Sequence, residues 1–513
     1  MDQTGQGEPF EAERQRAITK REVMLELQRA LLPVGLPVLP DLSLAAGYRP
    51  ADRADAAGGD WFDVVAMPDD TVALVVGDVV GHGATASAVM GQLRAIAADR
   101  LQRGGDVDDV LHALDSFAAD SANARGSTVI LAIVDRPSGS VRYVVRGHPP
   151  PLVVAADGAA RYLCGSSGPP LALPSNRFYP AEDRLAAGDT LVLYSDGAVV
   201  RPRRSIGLGM EDLAECVTKV VRGNTSRERD AAAAVCAAIT GGPSHDDVSV
   251  LAATVLSERP KPLVITVPAA AEQLGEVRSR FTGWLEEFRA GEDDRVALEL
   301  SVVEAVTNSI EHAFAGPPGS VRVDAVLDRD GTVEVMVSDD GRWKPPQADP
   351  GFRGRGLMMM REFSDDFQLD ISTAGTTVNL AKALRTPILV DGETQWEPER
   401  RSTGLELDVR LGPDKVIISL AGALDSSGIN RLQASLLDVE RHGALPLTVV
   451  LDDLTLLTSA GLRTLYEHAS RLLAAHRPLR LVATPGSPAR DVLAVSGLDQ
   501  LVEVEPVVLG SAK

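Results

Sequence analysis

The stretch TVALVVGDVVGHGATASAVM, residues 71–90, decides the reading of the first half of the chain. Its opening is dominated by valine and other apolar residues, a β-type segment punctuated by glycine. Asp78 falls where that run meets glycine, Gly81 and Gly83 mark a turn, and ATASAVM begins a helical stretch reaching Ala119. A strand ending on an aspartate beside glycines sets a carboxylate at the rim of a sheet. Working outward, STVILAIVD, VRYVVRGH, TLVLYSDG and DVSVLAATVL repeat the strand pattern between Leu42 and about Leu256. Many strands with inserted helices indicate an α+β or β-sandwich core.

Other aspartates occupy comparable places: Asp60 in GGD with Asp63 behind it, Asp196 in YSDG, and Asp246 with Asp247 in HDDVSV. Hard divalent cations take oxygen ligands and keep several waters, so a few carboxylates at strand ends suffice to hold them. Two such ions side by side can stabilise both the attacking and the leaving oxygen of a displacement at phosphorus.

The chain has 513 residues, which at roughly 150 per domain suggests three domains. Its 51 Lys and Arg against 72 Asp and Glu give a net charge of −21, which argues against direct nucleic-acid binding, since phosphate neutralisation needs clustered cations. No stretch approaches the ~20 apolar residues of a membrane span, and the polar N-terminus lacks a secretory pattern. A soluble, cytoplasmic protein without a membrane partner is expected. Cys164, Cys216 and Cys236 are too few and too far apart for a disulfide framework or a metal site, and are expected to be small buried residues. An amphipathic helix is expected over Glu13 to Leu32, ended by prolines, as a dimerisation or signalling stalk.

SERPKP (Ser257–Pro262) reads as a linker. The second region, Leu263 to Leu384, places Glu304, Asn308 and His312 at successive i+4 positions of one helix, with Leu300, Val303, Val306 and Ile310 supplying apolar packing. SDDGRW (Ser338–Trp343), GFRGRGLMMM (Gly351–Met360) and GTT (Gly375–Thr377) follow, and GRGL stands directly before a helix whose first amides favour phosphate. After a polar tract, Arg385 to Thr403, the third region alternates strands and helices as in a small α/β sandwich, and Thr458-Ser459-Ala460-Gly461 opens a helix after a strand.

The first set of motifs resembles the metal-dependent serine/threonine phosphatases of the PPM family, in the bacterial branch typified by the sporulation phosphatase and the stress-response partner-switching phosphatases. That resemblance implies Asp60, Asp78, Asp196 and Asp246 as ligands of two Mn²⁺ or Mg²⁺ ions, with Asp247 adjacent or in place of Asp246, and the Val79 carbonyl completing a site. His82 is read as a turn histidine rather than a general acid. The second region resembles the GHKL ATP-binding fold, particularly the anti-sigma-factor serine kinases. In that family Glu304 would act as the catalytic base or orient the attacking hydroxyl, and Asn308 would hold the Mg²⁺ of Mg-ATP. Asp339 and Gly341 would contact adenine, Arg355 and Gly356 would lie over the phosphates, and Thr376 or Thr377 would line the base pocket. The family's second glycine is replaced here by Trp343. The third region resembles the STAS anti-sigma-factor antagonists, with Ser459 at the phosphoacceptor position and Asp425-Ser426-Ser427-Gly428 read as a helix start.

These resemblances imply a multidomain α/β and α+β chain. It comprises an N-terminal helix and linker (1–44), a PPM phosphatase β-sandwich flanked by helices (45–257), a GHKL α/β sandwich (262–386), a linker (387–403) and a STAS α/β domain (404–513). The implied function is a partner switch acting on a sigma factor, with the STAS antagonist engaged in cis or in trans; a homodimer through the kinase region or the N-terminal helix is compatible with it. The rival readings are a non-catalytic scaffold with a degenerate nucleotide site, and a phosphatase acting only on separate antagonists.

Overall fold

The computed structural model describes residues 30–50, 58–81, 83–173, 179–200, 205–223, 228–241, 247–310, 319–341 and 355–390, with discontinuous parts of 405–505. They form two compact units. One reaches to Pro260 and takes in Asp328–Gly331 and the stretch from Arg385 to Val390; the other holds the remaining residues from Lys261 onward.

The first unit is a sandwich of two sheets. One has the strand order Leu389–Val390, Leu42–Arg49, Val248–Val255, Thr190–Tyr194, Leu152–Val154, Ala160–Tyr162; the other runs Asp60–Ala66, Thr71–Asp78, Thr128–Asp135, Ser140–Arg146, Ala181–Arg184. Between them Leu44, Ala46, Leu193 and Leu251 meet Phe62, Leu74, Val76 and Ile130. The outer face of the second sheet is covered by helices α1 (Ala84–Gln102) and α2 (Val107–Asp120), and that of the first by α3 (Ile206–Gly223) and α4 (Ala231–Thr240). Because both faces of each sheet are covered, the strands read as near-continuous apolar runs rather than alternating ones.

Three expectations change here. The single helical stretch from Ala84 to Ala119 is two helices. Gly104 turns the chain at φ 78°, and Asp106 caps the next helix, accepting from the amides of Asp108 and Asp109 while Asp109 accepts from that of Asp106. The tract beginning at Arg385 is not a plain separator. Arg385–Thr386 pairs with Leu36–Pro37, and Leu389–Val390 joins the first sheet parallel to Gly47–Tyr48. The apolar run Ile388–Val390 explains this, since Ile388 and Val390 pack against the core between the sheets. Of the cysteines only Cys236 is fully buried; Cys216 is half-buried and Cys164 is exposed.

In the second unit, an antiparallel sheet runs in the order Leu263–Pro268, Ser320–Leu327, Thr332–Asp339, Gly375–Ala383, Asp366–Ser372. Its strands alternate, with Val321, Val323, Val333, Val335 and Val337 buried on one side. Its helices are α5 (Leu274–Leu285), α6 (Glu292–Asn308) and α7 (Arg355–Phe363). A further sheet begins with Glu406–Leu411 antiparallel to Val416–Leu424, then continues in parallel through Leu447–Leu457, Leu479–Val482 and Glu503–Glu505. The last of these strands was not anticipated. The N-terminal helix before Ala30 lies outside the described residues, as do His82, His312, Asp425–Gly428 and most of the third region's expected helices.

Arg146 shows how the first unit fixes its loops. Its guanidinium is buried, pairs with Asp115 of α2 through two nitrogens and donates to the carbonyls of Pro169 and Pro170. Replacing Asp115 with alanine leaves that charge without its carboxylate, and urea unfolding is expected to show a loss of about 2–3 kcal/mol.

Candidate functional site

The strand Asp60–Ala66 and its neighbour Thr71–Asp78 pair with Asp60 directly opposite Asp78. Asp196 and Asp247 approach from the other sheet, one just after Thr190–Tyr194 and the other just before Val248–Val255. The glycines ahead of Asp60 make the approach possible. A Cβ on Gly58 would lie 1.8 Å from a carboxylate oxygen of Asp247, and one on Gly59 would lie 2.2 Å from the Val79 carbonyl oxygen. The Val79 amide in turn donates to the Gly59 carbonyl at 3.1 Å.

Burial, followed by the charges of Asp78 and Asp247 and more weakly of Asp196, pushes the Asp60 carboxyl well above the usual carboxylate range; the Ser195 hydroxyl acts in the opposite sense. Asp60 is only 3 % exposed, and among the described residues its Oδ2 has no hydrogen-bond partner. Among the described residues no three carboxylate, imidazole or thiol groups already form a closed ligand set, and Asp246 lies outside them. The donor chemistry nonetheless fits a hard cation: buried like charges, an orphaned oxygen and an adjacent backbone carbonyl are relieved together by positive charge. Asp63 is not part of this group. It points to the opposite face of its strand, where it accepts from Arg94 Nε at 2.9 Å, and Arg94 also donates to the Leu31 carbonyl.

His148 braces the same rim. Its Nδ1 lies 2.6 Å from the Thr128 hydroxyl and its Nε2 3.0 Å from the Tyr194 carbonyl, so the neutral ring donates from Nε2 and accepts at Nδ1. Thr128 pairs with Asp78 across the strands, and Tyr194 precedes Asp196 by two residues. The imidazole therefore links the two sheets beside the carboxylates. Sequence reasoning passed over His148 and Ser195 as ligand-shell supports; the only signal was their position beside the glycine and aspartate of their own motifs.

The second site is built on α6. Glu304 is 5 % exposed, and a Cβ on Gly356, at the start of α7, would lie 2.1 Å from its Oε1. Asn308 ends α6, half-buried. Asp339 is held as an acceptor by the Ser309 hydroxyl at 2.8 Å and the Gly341 amide at 3.0 Å, with the Thr376 amide at 3.4 Å. Thr376 and Thr377 lie across the strands from Asp339 and Ser338, and among the described residues the buried Thr376 hydroxyl has no partner. Asp339, Gly341, Thr376 and Thr377 are thus brought together at one end of the sheet, while Glu304 and Gly356 meet between α6 and α7. Ser309 was missed from sequence, although it directly follows Asn308. The Arg355 side chain and Ser459 lie outside what is described.

Comparison with known proteins completes the picture. The chain matches the model of stage II sporulation protein E over residues 68–256, that of the histidine kinase-like ATPase domain over 267–382, and that of the Mlab STAS domain over 407–503. The crystal structure of the RsbU and RsbW domains of Rv1364c from Mycobacterium tuberculosis is 32% identical, covering 70% of this chain and 99% of that one with a TM-score of 0.61. The chain belongs to the Rv1364c-type RsbU–RsbW family. It therefore carries a PPM phosphatase domain, a GHKL domain and a STAS domain. Within curated proteins, this family member is 30% identical over 147 residues to the serine-protein kinase RsbW of Bacillus licheniformis, covering 25% of this chain and 88% of that one. Protein IcfG of Synechocystis is 24% identical over 257 residues, 44% of this chain and 40% of its own length, so the chain spans well under half of that relative. Among the described residues no helix is long and apolar enough to cross a membrane.

Burial lowers the His148 pKa from the ordinary 6.5 to about 4, with the Tyr194 carbonyl acting in the opposite sense. A histidine depressed in the fold contributes stability that is complete above 6.5 and is lost as pH falls toward 4, because the unfolded chain takes up the proton first. The loss amounts to about 3 kcal/mol. Urea midpoints measured from pH 8 to pH 4 should fall along that window in the parent and fall less in His148→Gln, which starts from a lower value at pH 8.

Proposed function

We propose that the chain is a self-contained partner switch regulating a sigma factor, in which a metal-dependent phosphoserine phosphatase opposes a serine kinase and the STAS domain carries the phosphate at Ser459. The observation that carries the reading is the convergence of Asp78, Asp196 and Asp247 on the buried Asp60 carboxylate with its orphaned oxygen.

In this reading Asp60, Asp78, Asp196 and Asp247, with Asp246 beside them and the Val79 carbonyl, hold two Mn²⁺ or Mg²⁺ ions. Bound ions supply charge neutralisation at the phosphoryl oxygens and an activated water. The chain's own residues do the rest. Gly58 and Gly59 keep the carboxylates close by adding no side chain, Ser195 steadies Asp60, and His148 fixes the spacing of the two strand ends. At the other site, Mg-ATP supplies the phosphoryl group. Asn308 holds its cation, Asp339 accepts from the adenine amino group with Gly341 allowing close approach, and Thr376 or Thr377 lines the base pocket. Arg355 and Gly356 lie over the phosphates, and Glu304 takes the proton from the attacking serine hydroxyl. Phosphate on Ser459 at a helix start adds nearly two negative charges to the antagonist surface and separates it from the kinase, which is then free to hold the sigma factor. The phosphatase reverses that state.

Two measurements test this. Because its pKa is raised in the fold, the Asp60 carboxyl costs stability progressively as pH rises from the ordinary 3.8 toward its raised value, so at neutral pH the cation-free protein bears the penalty. Mn²⁺ at roughly a hundred times its Kd should raise unfolding stability by about 3 kcal/mol. Asp60→Asn should be more stable than the parent in chelator, gain little from Mn²⁺, and lose phosphatase turnover; a parent that gains nothing from either cation removes the assignment. For the kinase, intact mass after incubation with Mg-ATP should rise by one phosphate, and the gain should be absent from both Ser459→Ala and Asn308→Ala.

A further inference from the structure

Helix α6 is buried all the way round. Every residue from Val296 to Thr307 is covered, including Glu299, Ser301 and Glu304. A helix lying on one side of a two-layer sandwich normally keeps an outer, solvated stripe. Here the apolar positions divide into two stripes. Leu298, Val302, Ala305 and Val306 form one. Val296, Leu300 and Val303 form the other, spaced i, i+4, i+7. At about 100° per residue the two stripes lie on roughly opposite sides of the helix, so one sheet cannot cover both.

The second stripe has an identified cover. Val296, Leu300 and Val303, joined by Met359 of α7, belong to one continuous buried cluster with the core of the STAS domain, including Leu451, Leu454 and Leu457. Helix α6 packs against the strand Leu447–Leu457 as well as against α5, α7 and the strands Thr332–Asp339 and Gly375–Ala383. In sequence that strand ends two residues before Ser459. On the helix, Glu304 follows Val303, and Asn308 stands one turn beyond Glu304.

We propose that the STAS domain of this same chain docks in cis on the outer stripe of α6, so that the helix carrying Glu304 and Asn308 is capped from within. The occupant is this chain's own domain, because the stripe and the STAS core share a single hydrophobic cluster within one compact unit. A separate antagonist or partner must then displace the resident domain before it can use this face. This rests on the kinase–antagonist reading for its consequence but not for its test, which needs neither metal nor nucleotide.

A protease site introduced into the tract 391–404 allows the folded full-length protein to be cut and passed over a sizing column. The C-terminal piece should co-elute with the remainder, and when isotope-labelled and unlabelled full-length protein are mixed before cutting, each remainder should carry a C-terminal piece of its own label, because the joined chain favours its own domain. Leu300→Asp should weaken the association of the cut pieces about a hundredfold. Met359→Asp, on a different helix, should do the same and serves if the first variant fails to fold. Separation of the parent's pieces on cutting, or equal retention in both variants, overturns the proposal. Labels already scrambled immediately after cutting also overturn it, by assigning the cover to a second copy.

Discussion

Like charges held together at the rim of two facing sheets are the constraint around which the first domain is organised. Asp60 and Asp78 come from one sheet and Asp196 and Asp247 from the other, so the site exists only while the sandwich is closed. Each local device near it serves that closeness: glycines where a methyl group would collide with a carboxylate, a hydroxyl from Ser195, and a neutral imidazole spanning the sheets. None of these removes the repulsion. The fold stores an electrostatic cost that the proposed cation would release, which would make occupancy of the site and stability of the domain a single property.

The second site uses the opposite economy of charge. Asp339 is satisfied by a hydroxyl and backbone amides, so it is oriented rather than strained, and the unsatisfied atom is instead the buried Thr376 hydroxyl. A carboxylate fixed as an acceptor beside a vacant hydroxyl donor suits recognition of a neutral heterocycle edge, whereas crowded carboxylates suit a cation.

Much of this was legible in the sequence because the decisive residues sit in short motifs. An aspartate between an apolar run and a glycine declares a strand end, and Glu304 and Asn308 declare a shared helix stripe by spacing alone. What escaped were pairings across long separations. The Thr128–His148–Tyr194 strut joins three segments, and nothing in any one of them specifies the others. Ser309 was hidden by its neighbour Asn308, which already explained the helix end. The break at Gly104 was lost inside a run of good helix formers, although glycine followed by Asp106 and Asp109 is a helix-start signature. Leu300, Val303 and Val306 read as one packing set from sequence, while the fold places Leu300 and Val303, but not Val306, in the cluster shared with the STAS core, because a single period of 3.6 cannot say how many surfaces a helix must meet.

The strand Leu389–Val390, lying parallel to Gly47–Tyr48, has a consequence for the order in which the protein is made. The ribosome delivers the first sheet's edge only after more than three hundred further residues, so the sandwich emerges with an open rim of unpaired amides and carbonyls. The GHKL domain is synthesised while that rim waits. Closure of the sheet thus becomes a late event in biogenesis, and a chain interrupted before residue 389 retains every proposed phosphatase ligand yet carries an adhesive edge that the complete chain has covered.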